Sequence, residues 1–146
     1  MKEAHIVVGL AALAANAVAG LWGAWVWWRA TPSVWFWRLL RAGQLAVVLE
    51  VVVGGIFELI RHKAPSLHLL YGVLPLVVSF IAEGLRVSSA QIVLDKHGYA
   101  SAEDVGTLAE AEQRAVVIEI LRREIGVMAL SALVIVGLLA RAAGTG

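Results

Sequence analysis

The side chains best equipped for chemistry in this chain are its four histidines, His5, His62, His68 and His97. There is no cysteine, so thiolate metal sites, iron–sulfur clusters, disulfides and thiol catalysis are all excluded. A neutral imidazole offers one lone pair to a metal and one N–H to an orienting acceptor. Histidines brought together therefore read first as ligands, and second as acid–base groups. A carboxylate, Glu50, stands in an apolar run, with Asn16 and Ser79 in other runs at what reads as similar depth. A carboxylate within a membrane costs roughly 2.5–3.5 kcal/mol on insertion scales, so it faces protein. It reads either as a protonated hydrogen-bonding partner of Asn16 or Ser79 that glues helices, or as a proton relay.

These residues are positioned by an unusually apolar chain. Its 146 residues are 60% hydrophobic and 16% charged, with a formal net charge of +1 and a mean hydropathy of +0.82. A soluble domain carries more charge, and so small a net charge gives no electrostatic case for nucleic acid. Four apolar runs, near residues 6–28, 36–60, 67–85 and 125–140, approach or reach the ~20 residues that span a bilayer as a helix. The reading is a single all-α transmembrane domain over residues 1–146. It is an integral membrane four-helix up-down bundle with helices at about 5–29, 36–61, 67–95 and 102–141. The ends of the third and fourth helices project as a helical hairpin, about residues 87–121. In that hairpin Ser101 and Asp104 form a capping pair, the fourth helix runs unbroken to Arg141, and Val105, Leu108, Val116 and Ile120 pack toward Ile92 and Val93.

The threading puts Lys2, Arg61, Lys63 and Arg141 on one side. Arg29, Arg38, Arg41, Arg86, Lys96, Arg114, Arg122 and Arg123 fall on the other. The richer side is read as cytoplasmic, giving a multi-pass cell-membrane protein with both termini outside. All six tryptophans, Trp22 to Trp37, fall at the cytoplasmic interface, where an indole sits well among headgroups. Glu83 and Glu124 read with Arg38, Arg41, Arg86, Arg122 and Arg123 as an ion-pair network at that edge. Ala11, Ala15, Ala19 and Gly23 form a small-residue stripe that lets another helix approach.

The same threading gathers His5, His62 and His68 at the outer surface and leaves His97 at the hairpin tip. In an up-down bundle the first and third helices are diagonal, so His5 and His68 face one another. Two opposed imidazoles suit a six-coordinate haem iron. Arg61, Lys63 and Lys2 would meet its propionates, Tyr71 would flank the ring, and Gly9 and Gly72 would leave it room. Spacing alone leaves two alternatives open: interfacial histidines with no ligand, and a zinc or copper site from His5, His62 and His68.

The segments HIVVGLAALAANAVAGLWGAWVWW, GQLAVVLEVVVGG and APSLHLLYGVLPLVVSF resemble one four-helix half of haem A synthase. The resemblance spans about residues 3–82 and is carried by His5, Gln44 and His68. It implies a b-type haem with His5 and His68 as axial ligands near the outer face. Lys2 stands where the family has its catalytic Glu, with Glu3 offset by one, and Ile6 stands where it has Arg. What the resemblance implies is therefore haem binding, for electron transfer or haem handling; as an enzyme the chain would be a haem-dependent oxidoreductase. A homodimer would restore the family's two-half arrangement. Partners implied are the lipid bilayer, a second copy, and a redox or cytoplasmic protein. The other functional expectations are a non-haem membrane subunit or scaffold whose hairpin docks a partner, and a small proton-coupled transporter using Glu50.

Overall fold

The computed structural model describes residues 2–61 and 65–145, with Lys2 and Arg61 as backbone only. The described residues form five helices: α1 (Lys2–Arg29), α2 (Val34–Arg61), α3 (Ser66–His97), α4 (Ala102–Gly106) and α5 (Glu110–Ala143). Four of them, all but α4, are long and apolar enough to cross a membrane. At ~1.5 Å per residue the 32 residues of α3 and the 34 of α5 exceed a ~30 Å hydrocarbon layer.

α1 packs on α2 and α5, and α3 packs on α5, while the α2–α3 seam is looser. The α1–α2 interface is a run of layers in which a glycine on one helix faces a large or polar side chain on the other. A Cβ on Gly23 would lie 2.4 Å from Phe36, one on Gly43 3.0 Å from Asn16, one on Gly9 3.0 Å from Glu50, and one on Gly54 3.2 Å from His5. The first three layers repeat every seven residues on both helices, the period that keeps one seam of each helix against its partner. The expected small-residue stripe is thus partly rotated. Ala19, Gly20 and Gly23 are buried, but Ala11 faces outward.

Two apolar clusters fill the shared core. Ala19, Val26, Phe36, Leu40, Ala82, Ile125, Met128, Ala129 and Ala132 form the larger, and Ala12, Val47, Ile135 and Leu139 the smaller. The outward faces are apolar too: Leu59 is 73%, Phe80 71% and Leu21 67% exposed.

α1 ends where Ala30 adopts φ 50°, so that Thr31 N–H reaches Val26 O and Ala30 N–H reaches Trp27 O. Ser33 then caps α2, its Oγ accepting from Phe36 N–H and from the Trp22 indole N–H. That cap starts α2 two residues earlier than the expected position 36.

At the far end of α3 the chain turns through left-handed Gly98. Ser101 and Asp104 form the expected capping box. The unbroken fourth helix is corrected: α4 stops at Gly106 and α5 starts at Glu110. The break is held by side chains that take up backbone carbonyls. Thr107 Oγ1 donates to Asp104 O, and Gln113 Nε2 donates to Gly106 O and Leu108 O. Val93, Leu94, Val105 and Val116 form the buried core here, with Leu108, Ile120 and Tyr99 against it. Leu94 takes the place expected of Ile92, which is 40% exposed.

Candidate functional site

The four-layer seam decides what surrounds His5. Gly54, lacking a Cβ, makes the notch in α2 that admits the imidazole, and Gly9 makes the notch in α1 that admits the Glu50 carboxylate. One helical turn separates His5 from Gly9, so the two side chains meet: His5 Nδ1 lies 3.1 Å from Glu50 Oε1. The angle does not complete a hydrogen bond, and both His5 Nδ1 and Glu50 Oε2 are buried without a hydrogen-bond partner. The imidazole lies parallel to Phe57, with ring centres 6.2 Å apart and planes 8° from parallel.

His68, at the start of α3, comes in from the other side. Its ring centre is 5.8 Å from that of His5, with the planes at 73°. His68 Nδ1 is 2.9 Å from Ala142 O on α5. A carbonyl can only accept, so the proton of that bond sits on Nδ1 and the lone pair of a neutral ring falls on Nε2. This is the arrangement that orients a ligating histidine. The expectation that His5 and His68 come together is met, and α1 and α3 meet through these two rings.

Glu50 was singled out in the sequence, but its neighbour His5 was not foreseen. Its expected partners are engaged elsewhere. Asn16 Nδ2 donates to Ala12 O at 2.8 Å and across the seam to Gly43 O at 3.1 Å, while Ser79 Oγ donates to Pro75 O within its own helix. The depth assignment fails because the α1–α2 turn sets Glu50 against Gly9, seven residues from Asn16.

Tyr71, one turn along α3, lies under the Arg141 guanidinium at 6.0 Å. Gly9 is filled by Glu50 and is not open space, whereas nothing lies within 4 Å of a Cβ placed on Gly72. The expected roles of Lys63 and His62 lie outside the described residues, as does the side chain of Arg61. His97 is remote: it bonds Glu119 at 2.8 Å in the hairpin, beside Lys96.

Among the described residues no group of three or more His, Asp or Glu is arranged to hold a bare metal ion. A haem iron asks less, because its macrocycle supplies four ligands and the protein two. Imidazole–metal bonds of about 2 Å on each side set two axial rings roughly 6 Å apart between centres, close to the observed 5.8 Å. Two imidazoles are the donor set a haem takes from protein, and on the His68 side nothing lies within 4 Å of a Cβ placed on Gly72.

At the opposite end the arginines and tryptophans pair. Guanidinium groups lie over indoles at Arg29–Trp25, Arg38–Trp35, Arg86–Trp37 and Arg122–Trp27, at 5.7, 5.2, 5.8 and 5.1 Å. The ion-pair network at this end is smaller than expected. Glu83 binds Arg41, Arg86 and Gln44, while Arg38 and Arg122 are engaged by tryptophan and not by Glu83 or Glu124.

Comparison with protein-family models, with curated proteins and with solved structures finds no match.

Proposed function

We propose that the chain is an integral membrane protein, a four-helix up-down bundle, that holds a b-type haem between His5 and His68 for electron transfer or haem handling. The observation that carries this reading is the meeting of two imidazoles, 63 positions apart in sequence, at 5.8 Å. Its companion is the Ala142 carbonyl, which leaves the His68 Nε2 lone pair free. The outward apolar faces of α1, α2 and α3 are what a bilayer would cover; in water such surface drives association. The arginine bias of the opposite end supports a cytoplasmic hairpin, with both termini, His5 and His68 outside.

When bound, the haem would supply one-electron exchange. The chain's own residues do the rest. His5 and His68 would be the axial ligands, the Ala142 carbonyl holds the His68 ring by its Nδ1–H, and His5 lies beside the Glu50 carboxylate and parallel to Phe57.

The test is the visible spectrum of the full chain, purified in detergent from cells supplied with haem. Wild type and His97→Ala should show the sharp reduced bands of a six-coordinate low-spin haem. His5→Ala and His68→Ala should each lose them. A colourless wild type, or a His68→Ala protein with an unchanged spectrum, refutes the assignment.

A further inference from the structure

The arginine–tryptophan end is not used by the haem reading, and three of its arginines have no ionic partner among the described residues. Glu83 takes up Arg41 and Arg86. Arg29, Arg38 and Arg122 have neither a carboxylate nor a hydrogen-bond acceptor among the described residues, and each is exposed. What they have is an indole face: Trp25, Trp35 and Trp27 at 5.7, 5.2 and 5.1 Å. Stacking fixes the plane of a guanidinium and covers its face, yet leaves the N–H edges free. Those edges are the part that binds a phosphate in bidentate fashion.

We infer that this belt binds the phosphate groups of anionic phospholipids, with Arg29, Arg38 and Arg122 as the recognising side chains. The inference rests on the bilayer reading above and not on the haem. A lipid is favoured over an acidic protein because of what surrounds the cations. Trp25 and Trp35 are 49% and 63% exposed, and exposed Leu21 and Val34 adjoin them at 67% and 68%. Indoles bordering an outward apolar surface fit the junction of headgroup and acyl chain. A zwitterionic lipid brings its own cation to that layer and offsets the attraction, whereas phosphatidylglycerol does not.

Every tryptophan of the chain lies in this belt, so intrinsic fluorescence reports on it alone. The full chain is reconstituted in phosphatidylcholine vesicles containing a minority of phosphatidylglycerol, with bromine on the acyl chains of one lipid or the other. Basic side chains at an anionic surface gain about fivefold each, the equivalent of ~1 kcal/mol. Brominated phosphatidylglycerol should therefore quench with a relative affinity at least about fivefold above brominated phosphatidylcholine. High salt should lower that ratio. The triple variant Arg29→Gln/Arg38→Gln/Arg122→Gln should bring it to about one, and the triple Lys variant should retain part of it. Equal quenching of wild type by both lipids overturns the inference, as does a preference that survives in the Gln variant. A preference abolished by free inorganic phosphate, or by an acidic peptide, would assign the belt to that ligand instead. Should the Gln variant not fold, the wild-type ratio and its salt dependence still decide. Quenching by neither lipid would overturn the bilayer reading as well, whereas equal quenching would leave it standing.

Discussion

Gly23→Ala tests the α1–α2 seam at its tightest layer. The added methyl would sit 2.4 Å from Phe36 Cε2 and 2.7 Å from Ala129 Cβ. Phe36 is fully buried and Ala129 is 4% exposed, so neither has free space to move into. Overpacking of this kind costs about 1–3 kcal/mol. Against it stands the gain of replacing a helical glycine by alanine, about 1 kcal/mol. With three contacts below any real Cβ distance, the balance should be a loss of up to about 2 kcal/mol. Gly84→Ala is the matched control. It lies in α3 with nothing within 4 Å of the new Cβ, and should gain up to ~1 kcal/mol. The assay is unfolding of the purified chain in detergent, by heat or denaturing surfactant, followed by helical circular dichroism. The two variants should move in opposite directions, and Phe36→Leu should restore part of the loss in Gly23→Ala. If Gly23→Ala is as stable as Gly84→Ala, α1 does not cross α2 and α5 at this point. The register that sets Gly9 and Gly54 against Glu50 and His5 would fall with it.

Gly54→Ala places a methyl 3.2 Å from His5 Cε1; haem retention, read from the visible bands, should fall while the unfolding midpoint changes little. Ala30→Gly relieves a non-glycine residue held at φ 50° and should stabilise the α1–α2 turn by up to ~1 kcal/mol in the same unfolding assay. Ser101→Ala removes the side-chain cap of α4, costing about 1 kcal/mol; amide exchange should rise at residues 102–106 and stay unchanged at the histidine end.

The four membrane-length helices and most of their ends were legible because the apolar runs are long and broken by Pro32 and by the RHKAPS segment. What composition could not show was the early start of α2, although Ser33 immediately before Val34 was the available signal. The break between α4 and α5 is subtler. It depends on Gln113 reaching back to Gly106 O and Leu108 O, a side-chain-to-backbone choice that leaves the apolar pattern of Val105, Leu108 and Val116 looking continuous. The Arg–Trp stacking was hidden for a different reason. Positions 25–41 read as interface by residue type, but which guanidinium takes an indole and which takes Glu83 is settled by side-chain reach.

The site divides along the same line. His5 and His68 could be brought together from topology alone, since the helix ends are few and the bundle leaves little choice of depth. Glu50 could not be placed by counting apolar residues, because a turn adds no hydropathy signal yet sets the register of everything beyond it. The glycines held that information. Gly9, Gly23, Gly43 and Gly54 each lie where the facing helix carries Glu50, Phe36, Asn16 or His5, stepping down α1 as they step up α2. A glycine within an apolar helix is costly to place unless something fills the space it leaves. Matching each one to a bulky or polar residue on the next helix would have fixed the register, and with it the carboxylate beside His5. Two polar side chains of the α1–α2 seam, His5 and Glu50, thereby share one end of the core, while the third, Asn16, donates its amide to backbone carbonyls two turns away. That separation sets His5 and Glu50 at the end where His68 arrives and leaves Asn16 apart from them.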